Sequence, residues 1–264
     1  MHKLFYGTGA LQFGALYLPE GPGPYPVVIL IHGGFWRAAY DLTLMTGLAE
    51  DLARQGIAAW NIEYRRVGDI GGGWPGTLLD VAQAADYLPT IVTRYNLDVQ
   101  RVVTVGHSAG GHLALWLAAR PKIPQQSILA AQGTPLTLAG VISLAGVVDL
   151  EHSWQLNLGK GAASELLGGG FDEVPDRYVV ASPAALLPTG VPQVLIHGTE
   201  DDRVPLIVSQ QYTQKALEAG DAVTLIELTG ADHFVVIDPA STAWRTTVAE
   251  IRRLQAPAKE SRDR

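Results

Sequence analysis

The feature that most constrains this chain is an alternation of two kinds of segment. Short runs of β-branched and apolar residues are separated by stretches long enough and periodic enough to be helices. Residues 27–31 (VVILI) are apolar throughout, which suits a strand covered on both faces. A helical stretch over 41–54 follows and stops at Gln55-Gly56, where glycine readily takes the left-handed turn that ends a helix. The rhythm continues with strand 57–64, helix 77–95, strand 101–105, helix 108–119 and strand 140–144. Strand 194–196, helix 206–219, strand 223–228 and a helix over about 241–254 complete it. Parallel strands need long crossovers, and helices of this length supply them. The order predicts a doubly wound, mostly parallel central sheet flanked by helices. Alternation through Leu11, Phe13, Ala15 and Tyr17 adds a strand near the N-terminus.

One stretch breaks the rhythm. Residues 149–181 carry Trp154, Gly159, Gly161, Gly168-Gly169-Gly170 and Pro175 with little periodicity, and are too long for a routine connection. Such a segment is expected to be a lid or binding insertion. No repeat and no shift of composition marks a second unit, so a single domain over 1–254 is expected. The charged, aperiodic tail 255–264 (QAPAKESRDR) is expected to fray.

Composition removes several classes of function. With 47% hydrophobic residues in 264, the chain is able to fill a sizeable core. A formal net charge of −7 without a basic run argues against nucleic acid and anionic membranes as partners. The absence of cysteine excludes a thiolate nucleophile and zinc sites built on thiolates. No stretch approaches about 18 uninterrupted apolar residues, so no membrane span is expected. Gly7, Gly9, Gln12 and Gly14 interrupt the apolar start, which does not read as a signal peptide; a cytoplasmic location is the default expectation. H-E-x-x-H, a phosphate-binding loop and a dinucleotide fingerprint are all missing, so no metal and no cofactor are expected.

Chemistry concentrates at the ends of the predicted strands. Gly106-His107-Ser108-Ala109-Gly110 is a G-x-S-x-G between a strand and a helix. A sharp turn there presents a serine Oγ at the strand end, beside helix amides that favour developing negative charge. A serine nucleophile needs a base and an orienting carboxylate. Of seven histidines, His233 lies in Gly230-Ala231-Asp232-His233-Phe234, just past the last strand, where a loop brings imidazole over the serine. His107 is read as pointing away, and His112 as structural, one turn into the helix. The carboxylate is sought among Glu200, Asp201 and Asp202, after the strand at 194–196; residue chemistry alone leaves the three open. His32-Gly33-Gly34-Phe35-Trp36 follows the apolar strand directly, and its Gly33 and Gly34 amides with that of Ala109 make a candidate oxyanion hole.

HGGFW, GHSAGG, the acidic stretch and His233, in this order, resemble an α/β-hydrolase of the esterase/lipase type over nearly the whole chain. The motifs are similar to those of the branch with kynurenine formamidases, hormone-sensitive-lipase-like esterases and prolyl-oligopeptidase-like catalytic domains. The resemblance implies a triad of Ser108, His233 and the acid that opens a D-x-x-V-P stretch. That stretch matches residues 201–205 and points to Asp201, with Asp202 second. It also implies that Gly33 and Gly34 supply oxyanion amides while His32 braces their loop. A serine hydrolase acting on a small carboxylic ester follows as the expected function. An arylformamidase or other amide hydrolase is the alternative, suggested by HGG-x-W, and a non-catalytic receptor of the same fold is a third reading. Phe35, Trp36, Trp74, Trp154 and Phe234 adjoin these loops and are candidates for a substrate pocket.

Overall fold

The continuous apolar runs become the middle of an eight-stranded sheet in the computed structural model, which describes residues 1–256. The strands are β1 (His2–Phe5), β2 (Phe13–Tyr17), β3 (Tyr25–Ile31), β4 (Ala58–Ile62), β5 (Leu97–His107), β6 (Gly140–Leu144), β7 (Gln193–Gly198) and β8 (Val223–Leu228). Their spatial order is β1-β2-β4-β3-β5-β6-β7-β8. The β1–β2 and β2–β4 pairs are antiparallel; every other pair is parallel. The first strand was not apparent in the sequence, because its His-Lys-Leu-Phe lacks a buried face and lies at the sheet edge.

The helices are α1 (Thr46–Arg54), α2 (Gly76–Tyr95), α3 (Ala109–Ala119), α4 (Leu150–Gln155), α5 (Ala162–Leu167), α6 (Pro175–Ala181), α7 (Ile207–Glu218) and α8 (Thr242–Gln255). Side chains alternate across a strand, so the two faces of β3 feed two cores. Val27, Ile29 and Ile31 pack with residues of α2, α3 and α7, such as Leu88, Leu113 and Tyr212. Val28 and Leu30 pack with residues of α1 and α8, such as Leu52 and Trp244. Every residue of α3 is buried, as befits a helix apolar all round. Gly56 does adopt φ +84° just past α1, the left-handed turn expected of it.

The 149–181 stretch is more ordered than its sequence suggested, since it folds into α4, α5 and α6. These helices have only six or seven residues each, too few turns for a periodic pattern to emerge. Asp149 caps α4 by accepting the His152 amide, and Gly168 ends α5 at φ +76°. Of the tail expected to fray, Gln255 instead closes α8 and is buried, donating to the carbonyls of Val27 and Arg101. Residues 257–264 of that tail lie outside the described residues. No helix among the described residues is long and apolar enough to cross a membrane.

Candidate active site

Parallel winding delivers the C-terminal ends of β3, β5, β7 and β8 to one edge of the sheet, and the loops singled out in the sequence meet there. Ser108 stands between β5 and α3 with φ 56° and ψ −118°, a conformation that costs a non-glycine residue about 1–3 kcal/mol. Hydrogen bonds hold it there. Its amide donates to Leu144 O at 2.8 Å, and its carbonyl accepts from Gly111 N at 2.9 Å and Val147 N at 3.2 Å. The flanking glycines are required by space: a Cβ on Gly106 would run into the Gly110 carbonyl, and one on Gly110 into that of Ile31.

Asp201 and His233 come together from the loops after β7 and β8. His233 Nδ1–H donates to Asp201 Oδ2 at 2.7 Å, and this bond leaves His233 Nε2 as the bare nitrogen. Asp201 Oδ1 is occupied by the amides of Arg203 at 2.9 Å and Val204 at 2.8 Å. Burial alone would raise the Asp201 pKa; hydrogen bonds from His197 and His233 outweigh it and hold the carboxyl well below the usual range. The neighbouring acid is unlike it. The Asp202 side chain is 72% exposed and meets only Arg203, at 3.3 Å, whereas the Asp201 side chain is fully buried.

The loop after β3 packs onto the serine turn. A Cβ on Gly33 would sit 2.7 Å from His107 O and 2.9 Å from Ser108 Cβ, so only glycine allows this approach. Gly34, Phe35 and Trp36 all have positive φ, at 111°, 51° and 57°. Among the described residues the Gly34, Phe35 and Ala109 amides have no protein acceptor. The loop is anchored from behind. His32 lies between the Gly33 carbonyl, 2.8 Å from Nδ1, and Glu63 Oε1, 3.0 Å from Nε2; its ring stacks on Tyr64 at 4.3 Å, and Val67 N donates to Trp36 O at 2.7 Å. Arg66 joins Glu63 at 3.4 Å and Asp69 at 2.9 Å, while Arg65 pairs with Asp80 at 2.6 Å.

A cavity of about 510 Å³ opens over Ser108 and His233, lined also by Gly34, Phe35, Tyr40, Leu44 and Phe234. Three cations stand at it: Arg37 is paired with Glu165 at 2.6 Å, Arg203 with Asp202, and Lys160 has no acidic partner among the described residues. Of the five aromatic residues expected near a pocket, Phe35 and Phe234 line it and three do not. Trp36 faces the opposite side of its loop, is buried in the core, and donates through Nε1 to His112 Nδ1 at 3.2 Å. Trp74 borders a separate groove beside Arg177, and Trp154 packs on Phe171 with ring centroids 6.1 Å apart. His107, expected to point away, lines the cavity and donates from Nε2 to the His233 carbonyl at 2.8 Å. Burial, aided by His233, pushes its pKa down to about 3. His112 is structural as expected; it donates to Ala181 O at 2.8 Å, and burial pushes its pKa down to about 4. Tyr40, Leu44 and Lys160 carried no motif and went unnoticed in the sequence. Gly159 was visible there only as a glycine in the insertion, and it packs against the Phe35 ring.

This geometry has counterparts among known proteins. A truncated carbohydrate esterase from gut microbiota superposes with a TM-score of 0.83 at 23% identity, covering 96% of this chain and 95% of that one. Esterase LipC of Mycobacterium tuberculosis is 26% identical over 225 residues, 83% of this chain and 55% of LipC. Kynurenine formamidase avaC of Aspergillus versicolor is 28% identical over 242 residues, 77% of this chain and 81% of avaC. The chain spans little more than half the length of most curated relatives it matches. The sheet and its winding are those of the α/β-hydrolase fold. The family model for BD-FAE matches residues 15–216, from the second strand into α7, and the chain belongs to the BD-FAE family.

Proposed function

We propose that this chain is a serine hydrolase that cleaves small carboxylic esters through an acyl-enzyme, without a metal or cofactor. The observation that carries the reading is the convergence of Ser108, a His233 whose Nδ1–H is committed to Asp201, and the Gly33–Gly34 loop at one cavity. Ser108 Oγ attacks the acyl carbon while His233 Nε2 takes its proton. Asp201 keeps the imidazole in the required tautomer and stabilises its cationic form. The amides of Gly33, Gly34 and Ala109 hold the oxyanion as it develops. The proton passes to the departing alcohol, and water repeats the cycle on the acyl-enzyme. In this reading residues 1–254 act as one domain, and 149–181 is a lid whose Gly159 and Lys160 reach the cavity wall.

A second reading, amide hydrolysis of the arylformamidase kind, is favoured by the likeness to avaC over most of both chains. The two share every proposed catalytic residue and differ only in the bond that turns over. 4-Nitrophenyl esters of increasing acyl length, measured beside an N-formyl aryl amide, separate them. Preference for a short ester, unaffected by EDTA, is the expected result. Labelling by a fluorophosphonate at Ser108 is expected too; its failure, with no turnover of any ester or amide, would leave a ligand receptor.

A further inference from the structure

Asp201 receives a second imidazole. His197, on β7, is fully buried and lies with Nε2 3.2 Å from Asp201 Oδ2 and 2.8 Å from the Val204 carbonyl. Its Nδ1 lies 2.7 Å from Ser209 Oγ on α7. Both neighbours of Nε2 are acceptors, so that nitrogen carries the proton and Nδ1 accepts from the Ser209 hydroxyl. Asp201 Oδ1 is already filled by two backbone amides. Oδ2 is therefore shared between the two rings, with His233 at 2.7 Å and His197 at 3.2 Å. The single His197 Nε2–H points chiefly at the Val204 carbonyl and reaches Oδ2 as a longer, secondary contact, so the carboxylate has three close donors and one weaker one on about four lone-pair sites.

We infer that His197 is a positioning residue for the base of this site, acting through the carboxylate oxygen it shares with His233 in a chain Ser209–His197–Asp201–His233. The inference rests on the triad reading above. A donor withdrawn from Oδ2 leaves more of its charge facing His233, so the imidazolium becomes more stable and His233 a stronger base. The same loss frees the carboxylate to rock about its amide-bound oxygen, which spoils the aim of His233 Nε2. The other titratable and charged groups around this chain are the neutral His107 beside His233, the exposed Asp232 before His233, and Glu200, Asp202 and Arg203 in the loop after β7. From α7 the Ser209 hydroxyl meets the His197 ring.

Two amide substitutions test this with little change of polarity. The amide nitrogen of His197→Gln falls near the position of Nε2 and keeps the donor to Asp201. That of His197→Asn falls near Nδ1, so the bond to Ser209 survives and the donor to Asp201 is lost. For His197→Asn, kcat on a neutral 4-nitrophenyl ester is expected to fall about tenfold or more with KM within about twofold. The acid limb of its kcat/KM profile is expected to move up by about half a pH unit. His197→Gln is expected to return kcat to within about threefold of wild type, with the acid limb back in place. An acid limb unmoved in His197→Asn, or equal behaviour of the two variants, would overturn the inference. If thermal melts show neither variant folded, Ser209→Ala decides: reduced kcat with a limb shifted upward supports the chain, and wild-type behaviour overturns it. Ser108→Ala, run in parallel, isolates the premise, because turnover surviving there refutes the triad reading itself.

Discussion

Replacing either of two adjacent acids tests the site most directly. In Asp201→Asn the Arg203 and Val204 amides, at 2.9 and 2.8 Å, still require an oxygen acceptor. That requirement turns the new NH₂ group toward His233 Nδ1 and His197 Nε2, which stand 2.7 and 3.2 Å from the oxygen it replaces. Donor then faces donor. His233 escapes by moving its proton to Nε2, which leaves no lone pair for Ser108. A triad with its base in the wrong tautomer loses about 10⁴ in kcat, or ~5 kcal/mol of barrier. Asp202→Asn changes a side chain that is 72% exposed and paired only with an exposed arginine. It should alter stability by no more than about 0.5 kcal/mol and kcat by no more than about threefold. Steady-state hydrolysis of 4-nitrophenyl acetate by both variants, each checked for folding by its melt, measures the contrast. A larger loss at 202 than at 201, or an Asp201→Asn variant within tenfold of wild type, would refute the reasoning.

Ser108→Ala should abolish turnover while the melt stays near that of wild type, and Ser108→Gly should also raise stability by about 1 kcal/mol, because glycine accepts φ 56° without strain; a destabilised glycine variant would mean the turn stores no strain. Gly33→Ala should cut kcat by about 10² or more with the fold retained, since its methyl would meet His107 O at 2.7 Å and displace the loop amides. His107 and His112 are held neutral by burial, with pKa values pushed down to about 3 and about 4, but titrate near 6.5 once unfolded. Their contribution to stability is therefore complete above about pH 6.5 and is lost as pH falls toward 4, amounting to about 2 kcal/mol each by pH 5. Urea titrations at pH 7.5 and 5.0 measure that loss, and His112→Gln should reduce it by nearly half; an unchanged pH dependence in the variant would contradict the assignment.

Much of this molecule was legible in one dimension because its constraints are local. A strand covered on both faces has to be apolar at every position, as 27–31 is, and a serine on a strained strand-to-helix turn needs glycine where Gly106 and Gly110 stand. The loop bearing His32 and Gly33 announced itself in the same way, since a close backbone approach tolerates no side chain. Periods of two and about 3.6 residues then determined the order of strands and helices, and with it a wound parallel sheet.

What depended on distance in space was not readable. Three consecutive acids look alike in sequence, and only the fold buries Asp201 against two imidazoles and two amides while leaving Asp202 in water. Trp36 and Phe35 are chain neighbours with similar side chains, yet positive φ values in their loop send one into the core and the other to the cavity. Lys160 and Tyr40 reach the same cavity from segments 120 residues apart, and His197 finds Ser209 across a turn and a helix end. Allowed backbone shapes could be read along the chain, because they are set by steric rules acting over a few residues. Which side chains share a dielectric, a hydrogen bond or a wall could not, because that depends on how the sheet's winding brings remote loops to one edge.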